Sequence, residues 1–163
     1  MLITLDYMAR PGPARDYHLV EILRCISQYD YSAVIGRQWR VSDLEIWMYG
    51  PLGGTEDDLN AMFPEGGVVT GEGFALVGGE RLMERSAVVQ LFESGHFLRL
   101  VDPAVPVELE SDYKLLNGPV VFQASNVDLE IRCAEACPYE IVSSDENLIA
   151  KLNEDFAGSR IRY

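Results

Sequence analysis

The sequence lacks any long uncharged apolar segment, and it lacks the features of a secretory signal. A membrane-spanning helix needs about 18 or more consecutive apolar residues, and no such run occurs among the 163 residues. The first residues, Met1 to Asp6, contain neither a basic stretch nor an extended apolar run, and a secretory signal would have both. These absences predict a soluble protein that contacts no membrane and stays in the cytoplasm.

Cysteine is scarce, and its number is odd. The chain has three cysteines, Cys25, Cys133 and Cys137, whereas disulfide frameworks are typical of smaller secreted chains with an even number. The spacing of Cys133 and Cys137 occurs among zinc ligands, but a closed structural zinc site needs four ligands. The other candidates, Cys25, His18 and His96, include no second tight pair. We therefore predict three reduced thiols and no metal site.

Motifs of catalysis and of cofactor binding are also missing. The chain has no Gly-x-Ser-x-Gly elbow and no Ser-x-x-Lys pair. Gly71-Glu72-Gly73 continues with apolar residues, so it matches neither the dinucleotide-binding nor the phosphate-binding loop pattern. We predict no catalytic residue and no cofactor. The alternative is an enzyme or small-molecule binder with a pocket in the sheet, built from scattered residues such as His96, Tyr113 and Cys137.

Basic residues are few. The chain has 13 Lys and Arg against 26 Asp and Glu, which gives a net charge of −13. Nucleic acids and anionic lipid surfaces attract basic proteins, so this charge argues against either as a partner. It is compatible with a basic protein partner. The plainer alternative is that the acidic composition only keeps the protein soluble.

Residues 41–80 contain no Lys or Arg at all. Eight acidic residues fall in this segment, and aromatic residues lie between them. Aromatic side chains within a charge field of one sign are typical of protein-binding surfaces. The alternative is that the aromatic residues are core and the acids are only solvated. We predict a partner-binding surface composed of Asp43, Glu45, Trp47, Tyr49, Glu56, Asp57 and Asp58.

Apolar periodicity predicts an amphipathic helix near each end of the chain. The first covers residues 14–29, where apolar residues recur at helical spacing. The second covers residues 145–156 and follows Ser143-x-x-Glu146, a capping-box pattern. A short acidic helix is predicted over 56–63. The core-facing residues of the two long helices are Leu19, Ile22, Leu23, Ile26, Leu148, Ile149, Leu152 and Phe156.

Most of the remaining chain has the composition of strands. Strands are predicted over 2–7, 32–38, 42–49, 68–77, 105–110, 119–124 and 127–133. Residues 80–94 fit a helix, but Val88–Phe92 and Phe97–Val101 also fit a hairpin, and their β-branched and aromatic content favours the hairpin. The order helix, strands, helix predicts an α+β fold, with a mainly antiparallel sheet in a single domain over 1–163.

These observations favour a small binding protein over an enzyme. The most concrete hypothesis is an immunity or antitoxin-type inhibitor, which would occlude a basic bacterial toxin with its acidic surface. A structural subunit that assembles as a homo-oligomer remains a further alternative.

Overall fold

In the computed structural model, the described strands align into one sheet. The structure describes residues 1–5, 19–46, 55–64, 68–70, 73–89, 92–134 and 138–163. In chain order, these residues form β1 (Leu2–Leu5), α1 (Leu19–Tyr29), α2 (Tyr31–Val34), β2 (Gln38–Ile46), α3 (Thr55–Met62), β3 (Val68–Thr70), β4 (Phe74–Gly78), α4 (Gly79–Val89), β5 (Phe92–Leu100), β6 (Val127–Cys133), β7 (Tyr139–Ser143), α5 (Glu146–Asp155) and β8 (Arg160–Arg162).

The strand order across the sheet is β3-β4-β2-β5-β6-β7-β1-β8. Every neighbouring pair is antiparallel. Long strands β2 and β5 pair at the centre, with Trp39 opposite Arg99 and Ser42 opposite His96. The predicted α+β class and mainly antiparallel sheet are therefore confirmed. In the described part of the chain, no helix has both the length and the apolar character needed to cross a membrane.

Alternation along the strands gives the sheet two different faces. Successive side chains of a strand point to opposite sides, so Trp39 and Val41 of β2 lie in the apolar core while Arg40 and Ser42 lie on the other side. The core side packs against the helices. The opposite side carries buried polar residues, and the segment between β5 and β6, residues 101–126, is bonded to it. We call this segment the strap.

The helices at the two ends match the sequence-based prediction. All eight predicted core-facing residues are buried. Residues 14–18 of the predicted first helix lie outside the described residues. The second helix is capped by Asp145, whose carboxylate accepts from the backbone N–H groups of Asn147 and Leu148. The predicted capping box at Ser143 is therefore wrong. Ser143 lies two residues before the cap, and its hydroxyl accepts from the Asp145 N–H.

Two segments are helical where a strand was predicted or a hairpin was favoured. Residues 31–34 form α2, because the Asp30 carboxylate caps the turn by accepting from the Ser32 N–H. Residues 79–89 form α4, so the predicted hairpin around residue 95 is wrong and 92–100 is one continuous strand. The buried side of α4 includes Gly79 and Ser86. Leu82 and Val89 are the only buried residues of α4 with large apolar side chains, so the β-branched and aromatic content nearby favoured the hairpin over the helix.

The remaining strand predictions hold in part. Residues 68–77 contain the hairpin β3–β4, with Gly73 at a φ of 80° in the turn. Segments 105–110 and 119–124 contribute a single bridge, Leu109 with Ala124. Strand 127–133 is confirmed, and β1 covers the described part of 2–7. Strands β7 and β8 were not predicted.

Candidate functional site

A cluster of buried charged side chains lies between the sheet and the strap. His96 of β5, Glu130 and Arg132 of β6, and Glu140 of β7 are each at most 2% exposed. His96 is directly opposite Arg132, and Arg132 is directly opposite Glu140. Removing such groups from water is costly unless they are paired and hydrogen-bonded. We call these four residues the charge cluster.

Opposite charges alternate within the charge cluster. His96 Nε2 lies 2.7 Å from Glu130 Oε1. Arg132 Nε lies 3.8 Å from Glu130 Oε1 and 3.7 Å from Glu140 Oε2. The half-buried Arg162 extends the row, with its Nη2 3.4 Å from Glu140 Oε1. Two arginines therefore face two glutamates along this row.

The backbone of the strap supplies further hydrogen bonds to the same charges. The N–H of Gln123 donates to Glu130 Oε2 at 3.0 Å, and the N–H of Gly118 donates to Glu140 Oε2 at 3.1 Å. In the other direction, Arg132 donates to the Pro119 carbonyl at 2.8 Å. Arg162 donates to the Gly118 carbonyl at 3.0 Å. Each carboxylate and each arginine under the strap is thus bonded to strap backbone.

Tyr113 connects the strap to the predicted acidic segment. Its ring stacks on His96 with centroids 5.1 Å apart and planes at 17°. Its hydroxyl donates to Asp43 Oδ2 at 2.6 Å. Burial and this bond to Asp43 raise the pKa of Tyr113, so the phenol stays protonated and remains a donor. Asp43 has a φ of 53° at an irregular point in the β2–β5 pairing.

The surroundings of Glu130 keep it ionised. Burial by itself raises the pKa of this carboxyl. The hydrogen bond and charge of His96, the Gln123 N–H and the charge of Arg132 together outweigh burial and hold the pKa below its ordinary value. Burial lowers the pKa of Arg132, and the charges of Glu130 and Glu140 oppose that effect. Because arginine titrates far above neutral pH, the pair is ionised at physiological pH.

The charge cluster has no open approach for a substrate in this conformation, because the strap covers it. His96 and Tyr113, which the enzyme hypothesis named, are in contact, but His96 is completely buried.

Comparisons with protein-family models, with curated proteins and with solved structures found no match to this chain. Within the described residues, no three His, Cys, Asp or Glu side chains are placed to hold a metal ion.

The predicted partner-binding residues are not all at the surface. Glu45 is exposed, whereas the carboxylate of Asp43 is half-buried and bonded to Tyr113. Asp58 is only 1% exposed, and its Oδ2 accepts from the Ile46 N–H at 3.4 Å. The expectation of a surface carboxylate at Asp58 is therefore wrong, because this side chain ties α3 to the end of β2. Trp47 and Tyr49, and the side chains of Glu56 and Asp57, lie outside the described residues.

Sequence reasoning missed the acids of the strap. Asp102, Glu108, Glu110 and Asp112 are all exposed, and Lys114 is the only basic residue of the strap. Their signal in the sequence is modest, because they lie among prolines and valines in a segment predicted to contain strands. The structure bonds Tyr113, the residue that follows Asp112, to Asp43 of the predicted acidic segment.

The two described cysteines are reduced. Cys25 and Cys133 are buried, and neither is in a disulfide, as predicted for these two, and Cys137 lies outside the described residues. Cys25 Sγ donates to Asp155 Oδ2 at 3.0 Å. Burial and this bond raise the pKa of Cys25 to about 12. Since the thiolate is the reactive form, Cys25 is an inert thiol at neutral pH.

Proposed function

We propose that this chain is a small cytosolic protein-binding domain whose acidic surface occludes a basic protein partner. The most concrete form is an immunity or antitoxin-type inhibitor of a basic toxin. Such an inhibitor works by covering the cationic cleft of its target, so it needs no catalytic residue of its own. Carboxylates on its surface pair with Lys and Arg of the partner, and their long-range field speeds the encounter.

The observation that carries this proposal is the excess of acidic over basic side chains at the surface. Among the described residues the buried charges cancel, because Arg40, Arg99 and Arg132 are buried together with Asp58, Glu130 and Glu140. The net negative charge is therefore carried by side chains outside the core. Among the described side chains, three cationic ones are exposed, namely Arg24, Lys114 and Arg160. Eleven acidic side chains are exposed, namely Asp30, Glu45, Glu80, Glu84, Asp102, Glu108, Glu110, Asp112, Glu146, Glu154 and Asp155.

Within this acidic surface, the strap is the part best suited to bind a partner. It contributes four of the exposed acids, and its backbone is fixed by hydrogen bonds to the charge cluster. A binding surface held in place before contact loses less conformational entropy on association. Tyr113 places the strap against Asp43, two residues before the exposed Glu45. The proposed surface therefore consists of the strap acids together with Glu45.

Reversing charges on the strap should slow association. We expect the double variant Glu110→Lys and Asp112→Lys to bind a basic partner with an association rate about tenfold lower at physiological salt, because it weakens electrostatic steering. To identify the partner, the chain is immobilised, and a protein that it retains at low salt and releases at high salt is collected. Its association with the original and variant chains is then measured by stopped-flow fluorescence.

The matched control makes the same charge change on the helical side of the molecule. Glu84→Lys and Glu154→Lys replace exposed acids of α4 and α5, and this variant should associate at nearly the original rate. If both double variants bind equally fast, or if the original chain retains no basic protein, the acidic surface serves solubility alone. If the captured protein is an enzyme, loss of its activity in the complex supports the inhibitor form of the proposed function.

A pocket beside the strap favours a second candidate function, the binding of a small amphipathic anion. The pocket has a volume of about 440 Å³, which is within the usual range of ligand sites. Its walls are mostly apolar and include Leu76, Leu100 and Val105. The guanidinium of Arg40 lines it and lies 4.2 Å from the centre of the Phe74 ring. One cation in an apolar pocket suits a carboxylate with a hydrocarbon tail.

Filling the pocket tests this second function. We expect decanoate to bind the original chain in titration calorimetry, and we expect Val105→Trp to abolish that binding because the indole occupies the pocket. Val121→Trp is the matched control, since Val121 is also an exposed strap valine but does not line this pocket. Absence of decanoate binding at millimolar concentration, or equal binding by both variants, contradicts the second function.

A further inference from the structure

The strap has little apolar anchoring to the rest of the domain. Across residues 101–126, regular pairing is limited to the single bridge between Leu109 and Ala124. Gly118 and Gln123 are its only buried residues, and several of its apolar side chains are exposed. Hydrophobic stabilisation scales with the apolar area removed from water, so this contribution is small for the strap. Ordered segments of this length without regular structure are uncommon and are often functional.

The strap has an internal framework of its own. Its two ends are joined at the base, where Asn126 Nδ2 donates to the carbonyls of Asp102 and Val105 at 2.8 and 2.7 Å. Across its middle, the Gln123 side chain both donates to and accepts from the backbone of Lys114. These bonds lie within the strap, so they persist when the strap moves away from the sheet.

The bonds that connect the strap to the sheet form a separate set, and they are mostly polar. Gly118, Pro119 and Gln123 contact Glu140, Arg132 and Glu130, and Tyr113 stacks on His96. When these contacts break, water reaches charged groups that it solvates strongly, and this offsets part of the lost bonding. Opening the strap away from the sheet therefore requires less free energy than separating the apolar core.

We propose that the strap is a lid that opens as one unit about its base at Asp102 and Asn126, while the sheet and helices stay folded. In the closed state, hydrogen bonds to the charge cluster hold the strap against the sheet. In the open state, the charge cluster becomes accessible from solvent. Segments held by few apolar contacts are the ones that open below the global unfolding free energy, and the strap fits that description.

Native-state hydrogen exchange on the intact protein tests the lid directly. The amides of Gly118 and Gln123 are the reporters, because each donates to a buried glutamate in the closed state. We expect both to exchange at least about a hundredfold faster than the slowest amides of β6, with rates that change little at low urea. If the two reporters instead exchange together with β6, the strap opens only by global unfolding and the proposal is wrong.

A variant at Gly118 tests whether the bonds to the charge cluster hold the strap closed. A Cβ at this position would lie 2.0 Å from Arg132 Nη1 and 2.9 Å from Gln123 Nε2. Gly118→Ala should therefore displace Arg132 from the Pro119 carbonyl and speed exchange at Gln123 about tenfold, as expected for losing one charged hydrogen bond. Lid opening and global unfolding both start from the closed state, so the slowest amides of β6 should accelerate by a similar factor. The gap of about a hundredfold between Gln123 and β6 should remain.

Gly78→Ala is the matched control, since a Cβ there meets nothing within 4 Å. It should leave exchange in both the strap and β6 unchanged. Unchanged exchange at Gln123 in Gly118→Ala would mean that Arg132 does not hold the strap closed. A single common exchange rate for Gln123 and β6 would mean that the strap and sheet are one cooperative unit, and either result contradicts the proposal. If Gly118→Ala does not fold, exchange in the original protein still decides the question.

Discussion

Replacing Arg132 with methionine should lower the free energy of unfolding by about 3–5 kcal/mol, the usual cost of removing one partner from a buried ion pair. Arg132 is completely buried, and its Nε lies within 3.8 Å of Glu130 Oε1 and Glu140 Oε2. Methionine retains an apolar stem of similar length but leaves two carboxylates in the interior without their shared cation. Urea unfolding followed by circular dichroism measures the change.

Two companion variants separate charge from packing. Arg160→Met removes an exposed arginine of β8 and should change stability by less than about 0.5 kcal/mol. Adding Glu140→Gln to Arg132→Met should recover part of the loss, because one uncompensated buried charge is then neutral. If Arg132→Met is as stable as the original protein, the charge cluster contributes nothing net to folding.

Asp58→Lys should lower the free energy of unfolding by about 3 kcal/mol or more, because it forces an ammonium into a buried site built around a carboxylate. Asp58 is 1% exposed, and its carboxylate accepts from the Ile46 N–H. Lysine cannot accept that hydrogen bond. The sequence alone indicated the opposite result, since it assigned Asp58 to an exposed acidic surface where charge reversal leaves folding intact.

Glu45→Lys is the control for Asp58→Lys, since it makes the same change of charge at an exposed position of β2. Its free energy of unfolding, followed by thermal unfolding, should stay within about 0.5 kcal/mol of that of the original protein. Equal midpoints for the two variants would show that Asp58 is not held in the interior.

The terminal helices and the fold class were predictable because their residues obey a single local rule. In α1 and α5, every third or fourth residue is apolar and buried, so periodicity finds them. In α4, the buried side includes Gly79, where a Cβ would lie 1.4 Å from the Val34 carbonyl oxygen. It also includes Ser86, whose hydroxyl donates to Leu82. Close packing requires these small residues, so the only large apolar side chains on the buried side are Leu82 and Val89. The helical pattern was present, but the β-branched and aromatic residues nearby favoured a hairpin.

The charge cluster could not be predicted from the sequence. Strand β6 alternates apolar with charged residues, including Glu130 and Arg132, and such alternation ordinarily indicates one buried and one solvated face. Here both faces are buried, because the strap covers the charged one. His96 and Glu140 join the same group only through the order of β5, β6 and β7 in the sheet. The covering of the charged face by the strap depends on the tertiary structure, and no local sequence pattern indicates it.

The way in which the strap bonds to the sheet affects how freely its sequence can change. Glu130, Glu140, Arg132 and Arg162 all bond to its main chain, and almost any residue supplies a backbone N–H and a carbonyl. Position 118 is restricted to glycine, since no side chain fits above the guanidinium of Arg132. The outward-facing positions are free of that constraint. Mutation there can change the outer surface of the strap while the bonds beneath it are preserved, so the strap separates a variable surface from the contacts that hold it in place.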